Sequence, residues 1–106
     1  MTRSPPSMYV HPWDVADEGP DSVLERITST GIRVVNLATS YHSGRYLLQH
    51  NPKRKVYFAE EGVVYFAPDP AYFQKCVLKP RRSTEYRDVD VLALLLKEAN
   101  RFGTKI

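Results

Sequence analysis

Two short groups of residues carry the chemistry this sequence offers: His11, Trp13 and Asp14 within HPWD, and Tyr41, His42 and Arg45 within SYHSGR. An imidazole titrates near neutral pH and can give or take a proton there. Trp and Tyr present an apolar ring with a polar tip, which suits stacking on the apolar face of a sugar. The planar fork of Arg45 matches a carboxylate or phosphate in bidentate fashion. The six side chains together describe a substrate-binding site for a carbohydrate or another small polar ligand, with no residue that stands out as catalytic. The plainer role for each is structural: Trp13 in the core, His11 capping a backbone group, Arg45 paired with Asp14 or Asp17.

Other chemistries find less support. His11, Asp14, Asp17, His42 and His50 are acceptable metal-ligand types, but no His pair sits at i, i+4 and no HxH follows the first strand. Neither a metal nor a cofactor is expected. Glu60 and Glu61 are adjacent in a turn and should point apart, whereas glycosidases need two carboxyls facing one bond at about 5–9 Å; a solvated turn is expected. There is one cysteine, Cys76, so an internal disulfide is impossible. Its neighbours Phe73, Val77 and Leu78 predict a buried, inert thiol. No glycine-rich phosphate loop, nucleophile elbow or Cys-His signature occurs.

Both groups follow directly on short apolar runs. Ile32–Ala38 is β-branched with little alternation and predicts a strand buried on both faces. Met8–Val10 predicts a shorter strand, followed by an irregular loop at His11–Asp14, because Pro12 removes a donor and holds His11 extended. Between them Gly19 can N-cap a helix, Pro20 suits its first position, and Val23, Leu24 and Ile27 fall at helical spacing before Gly31. Strand, helix and buried strand make a βαβ unit with parallel strands, whose carboxyl ends would carry the two groups side by side.

The middle of the chain reads differently. Tyr46–Asn51 is short helix or extended chain up to Pro52. Lys55–Ala59 and Val63–Ala67 are near-copies separated by Glu60-Glu61-Gly62, which predicts a β-hairpin. A short helix is expected over Ala71–Val77 and a basic turn over Lys79–Arg82. In the last helix Asp88 is the expected cap, Leu92, Leu95, Leu96 and Ala99 the apolar stripe, and Gly103 the end. Thr104–Ile106 should open another strand.

The 106 residues make at most one domain, with residues 1–7 a flexible lead-in. Hydrophobic content of 42% and charged content of 25% fit a folded chain. The net charge of +3 comes largely from Lys53–Lys55, Lys79–Arg82 and Arg101–Lys105. A solvated face is the plainer reading of these runs, so nucleic acid is not an expected partner. No run reaches the roughly 18 apolar residues of a membrane span, and the first residues lack an apolar signal core, so a cytoplasmic location is expected.

Through HPWDVADEGPDSVLERI, NLATSYHSGRYLLQHNPKRKVYFAEEGVVYFAPD and the closing leucine-rich helix, roughly Tyr9 to Phe102, the chain resembles the N-terminal part of an uncharacterised bacterial family similar to (β/α)8-barrel glycoside hydrolases. The resemblance implies a partial (β/α)8 barrel: an opening βαβ unit, an inserted β-hairpin and a C-terminal helix. It also implies a carbohydrate-active, hydrolase-like function, with substrate contacts from the loops after the first two strands and the acid and nucleophile carboxylates on later strands. Unpaired strand edges would then be covered by the remainder of a barrel or by a second copy in a homo-oligomer. The alternative is a small non-enzymatic α+β module that self-associates or binds an anionic partner through Lys53–Lys55 and Lys79–Arg82.

Overall fold

The computed structural model describes residues 4–106. Strand β1 (Ser7–Val10) leads into helices α1 (Pro12–Glu18) and α2 (Pro20–Thr28), and strand β2 (Val34–Leu37) follows. Strands β3 (Gly44–Leu47), β4 (Val56–Ala59), β5 (Val63–Val64) and β6 (Arg81–Arg82) fill the middle, and helix α3 (Val91–Ala99) comes last. The architecture is mixed α/β, built from small sheets rather than a closed barrel. Of the expected lead-in, residues 1–3 lie outside the described residues, and Ser7 already belongs to β1.

The βαβ unit forms as expected. β1 and β2 pair in parallel, from Ser7 opposite Val34 to Val10 opposite Leu37. Lys105 bridges to Val34 in parallel, its N–H donating to Arg33 O and its carbonyl accepting from Val35 N–H, both at 2.8 Å. Val34 therefore pairs on both sides, and the strand expected at Thr104–Ile106 is present as this single bridge.

HPWD is not an irregular loop. Proline cannot donate a backbone bond, and the first helical position requires none, so Pro12 starts α1 while His11 stays extended at φ −86°, ψ 147°. Gly19, at φ 97°, closes α1 and opens α2, and a β-carbon there would lie 2.9 Å from Asp21 Oδ1. The helices bury Trp13 and Val15 from one and Val23, Leu24 and Ile27 from the other. Trp13 is the hub of the core: its ring lies 4.8 Å from Tyr57, 4.9 Å from Tyr46 and 6.0 Å from Tyr65.

The two near-copies do not pair with each other, which corrects the expected hairpin. β4 pairs antiparallel with β3, Gly44 opposite Ala59 and Leu47 opposite Val56, so the inserted hairpin uses the earlier extended run. β5 pairs in parallel with β6 and touches Ser40. The connection explains the change of partner. Glu60 is not a solvated turn residue: its carboxylate accepts from Thr84 N–H at 2.8 Å, Thr84 Oγ1 at 2.9 Å and Ser83 Oγ at 3.0 Å. Burial alone would raise its pKa, but these bonds outweigh that and hold it below the usual carboxylate value. This clamp holds the end of the first run against residues 83–84, beside the strand that the second run joins.

Further downstream, the expected helix over Ala71–Val77 reduces to one 3-10 turn, Pro70–Tyr72, capped by Asp69. Cys76 is exposed, not buried, because no apolar periodicity pulls this segment inward; Val77 and Leu78 are exposed beside it. Asp90, not Asp88, caps α3, accepting from Ala93 N–H at 2.9 Å and from Ala67 N–H at 3.1 Å. The buried stripe is accordingly Val91, Leu95 and Ala99, and Leu96 is half exposed.

Candidate functional site

The carboxyl ends of β1 and β2 release His11 and Tyr41 to the same place. Their rings lie 4.9 Å apart, edge to face. His11 stacks on Trp13 at 4.6 Å with 9° between the planes, and Tyr41 stacks on His42 at 4.4 Å. Tyr46, from β3, joins the group 5.5 Å from His11, and its hydroxyl lies 3.3 Å from His42 Nδ1. Burial, with the neighbouring His42, lowers the His11 pKa and so favours the neutral ring.

Trp13 is fully buried and cannot stack on a ligand; it is the floor under the other rings. Arg45 does not join them. It sits on β3 between Gly44 and Tyr46, and alternation turns its side chain to the opposite face, over the Phe58 ring at 5.7 Å. Neither Asp14 nor Asp17 pairs with it. Arg26 pairs with Glu18, and Arg54 Nε lies 3.0 Å from Asp17 Oδ2. The Nε–H is not directed at that oxygen, so the second contact is Coulombic rather than a hydrogen bond.

Beside the rings a cleft of about 250 Å³ separates α1 and α2 from the end of β3. Asp14 lines it with Glu18, Arg26 and His50 over an apolar wall of Val23, Ile27 and Leu48. Burial raises the Asp14 pKa to about 6, and the Glu18 charge adds to the effect. Trp13 also lines the cleft, and its indole N–H is buried without an acceptor among the described residues.

Asp17 anchors a second polar group that sequence reasoning did not single out. Its carboxylate accepts from Asn51 Nδ2 at 2.7 Å and from the Tyr86 hydroxyl at 3.0 and 3.1 Å. Asn51 Oδ1 accepts from the N–H of Lys53 at 2.8 Å and Arg54 at 3.0 Å, folding the β3–β4 connection into a turn. The string Asn51-Pro52-Lys53 carried that turn signal. Nothing local marks Tyr86 as a partner of a residue on α1. This network positions the hairpin, and with it Tyr46, against the helix that carries Trp13 and Asp14.

The basic runs are partly engaged inside the chain. Arg54 also pairs with Glu85, and Lys79 Nζ donates to the carbonyls of Phe73 and Gln74. Arg81 donates to Glu61 O and Arg82 to Val89 O, both at 3.1 Å. Among the described residues no three His, Cys, Asp or Glu side chains gather as a metal site, and no helix is long and apolar enough to cross a membrane. No protein-family model matches the chain, and neither curated proteins nor solved structures give a match.

Proposed function

We propose that the chain is the opening part of a (β/α)8-barrel, hydrolase-like protein that acts on carbohydrate. His11, Tyr41, His42 and Tyr46 are the portion of its substrate site that these strands supply. One observation carries the reading: adjacent parallel strands deliver His11 and Tyr41, 4.9 Å apart, at their shared carboxyl end. That is where barrels hold their ligands, because the strands fix the backbone while the loops are free to vary. Pairing of β2 with β1 on one side and with Lys105 on the other is the sequential order of a barrel wall. In this site the half-exposed Tyr41 and the exposed His42 offer ring faces and polar tips to a sugar, and neutral His11 can accept a hydroxyl proton. Trp13 keeps the rings in place from below.

The test is calorimetric titration of the whole chain with a panel of cello-, xylo-, chito- and malto-oligosaccharides. At least one should bind, and Tyr41→Ala should weaken it by roughly threefold to tenfold, the worth of one ring contact. A panel that gives no heat, or a Tyr41→Ala variant that binds as well as the parent chain, overturns the proposal. A second reading, a non-enzymatic module that self-associates, is favoured by the outer face of the β3–β4 hairpin, where Leu47 and Phe58 are 87% and 67% exposed.

A further inference from the structure

We infer that a pocket on the β5–β6 connection binds a small organic carboxylate with an aromatic or short aliphatic body, its carboxylate against the Lys79 ammonium. The pocket holds about 480 Å³ and is lined by Pro68, Pro70, Phe73, Gln74, Lys79 and Pro80. It shares no residue with the cleft beside the aromatic rings, and the carbohydrate reading neither uses nor requires it.

Residues 65–80 connect β5 to β6, and their regular structure is the single 3-10 turn Pro70–Tyr72. Connections longer than about 12–15 residues without elements of their own are uncommon, and the ordered ones are usually functional. This one is folded on itself: Phe73 N–H donates to Pro70 O and Cys76 N–H to Phe73 O, both at 3.1 Å. No wall residue of the pocket belongs to the buried core, so the fold does not explain their grouping. Pro68, Pro70 and Pro80 each hold φ at roughly −65°, which leaves the walls little freedom to lose when a ligand enters.

Lys79 supplies the selectivity. Its Nζ donates to the carbonyls of Phe73 and Gln74, which holds the ammonium beside the wall those two residues form. An ammonium has three donors, so one is left over. No carboxylate pairs with Lys79 among the described residues. Asp69, between two of the prolines, is not in the wall, and its Oδ1 accepts from Ala71 N–H at 2.9 Å to cap the 3-10 turn. A compact point charge with one free donor matches a monovalent carboxylate. A phosphate dianion would call for a second cation or an arginine fork, and neither lines the pocket. The remaining walls are proline and phenylalanine, and the volume falls within the roughly 300–1,000 Å³ of small-molecule sites. One ring or a short chain fills that space while its carboxylate meets Lys79.

Backbone-amide NMR titration of the full chain at neutral pH with phenylpropionate, phenylpropanol and phenylpropylamine tests this, since the three share a body and differ in head group. Phenylpropionate should bind roughly tenfold more tightly than the alcohol, the worth of a charge-assisted hydrogen bond, and the amine more weakly than either. The amides that shift should lie within residues 68–80. Lys79→Met keeps the stem and removes the charge, so the acid should then bind no better than the alcohol. Phe73→Ala should weaken all three ligands. Both side chains lie outside the buried core, and unchanged amide positions in the helices would show that the variants fold. Equal binding of acid and alcohol to the parent chain overturns the inference. So does an acid preference that survives Lys79→Met, a set of shifts centred elsewhere, or no binding at millimolar ligand. None of these outcomes bears on sugar binding at His11 and Tyr41.

Discussion

Asp14 and Asp17 are three residues apart on one helix, and their surroundings give them opposite roles. Asp14 faces the cleft with its pKa raised to about 6 by burial and by Glu18, so folding favours its protonated form. A carboxyl whose folded value lies above its unfolded one opposes folding once pH exceeds the folded value, and the penalty fades as pH falls toward the unfolded value near 3.8. Asp14→Asn should therefore stabilise the chain by about 1–2 kcal/mol at pH 8, after allowing for solvent screening of a half-exposed group. Near pH 4 it should change little; urea unfolding at both pH values reads the difference. Asp17, by contrast, holds Asn51, Tyr86 and Arg54 together. Asp17→Ala leaves two buried donors, Asn51 Nδ2 and the Tyr86 hydroxyl, without their acceptor, while Arg54 keeps Glu85, and should cost about 2–4 kcal/mol. Asp17→Asn keeps an acceptor and should cost less. Equal losses in the two variants would show that the charge, rather than the acceptor, is what the network needs.

At the scale of elements, local chemistry was legible and long-range pairing was not. The Gly19-Pro20 start of α2, the strand through Val35 and the stop at Gly103 all follow from constraints that act within a few residues. The hairpin error has the opposite origin. Val-Tyr-Phe-Ala and Val-Val-Tyr-Phe-Ala can each pair with any extended neighbour, and the choice of β3 and β6 depends on contacts such as Glu60 with Ser83 and Thr84, more than twenty residues on. The same limit applied to the site. His11 and Tyr41 could be brought together from strand order alone, but the departure of Arg45 required knowing which face of β3 it occupies. The cap of α3 was missed by two residues because both Asp88 and Asp90 suit it. The structure discriminates between them sharply: Asp90→Ala should cost about 1–2 kcal/mol, since it frees the N–H groups of Ala93 and Ala67, while Asp88→Ala should stay within about 0.5 kcal/mol. Thermal unfolding of the pair measures the contrast.

For the whole molecule, what remains uncovered matters as much as what is packed. One face of the β3–β4 hairpin delivers Tyr57, Ala59 and Leu48 to the core. The other face carries Arg45, Leu47, Val56 and Phe58, all exposed, with no layer over them among the described residues. β1 pairs only with β2 among the described strands, and Tyr9 on it is 83% exposed. Exposed apolar faces and open strand edges of this kind favour association, because each contact removes apolar surface and satisfies edge hydrogen bonds together. The proposed barrel would cover both with its remaining strands and helices, and the module reading would cover them with a second copy. In either case the chain alone at high concentration should form dimers or larger species. Sedimentation equilibrium should show Phe58→Glu and Leu47→Glu shifting it toward monomer, since each places a charge at the centre of the face while leaving the core side of the hairpin intact. Salt separates this from assembly through the basic runs. Association driven by the apolar face persists or strengthens as salt rises, whereas binding through Lys53–Lys55 would weaken steeply. A parent chain that stays monomeric at millimolar concentration and unfolds in one steep transition would remove the need for any covering partner, and would count against the barrel and the self-associating module alike.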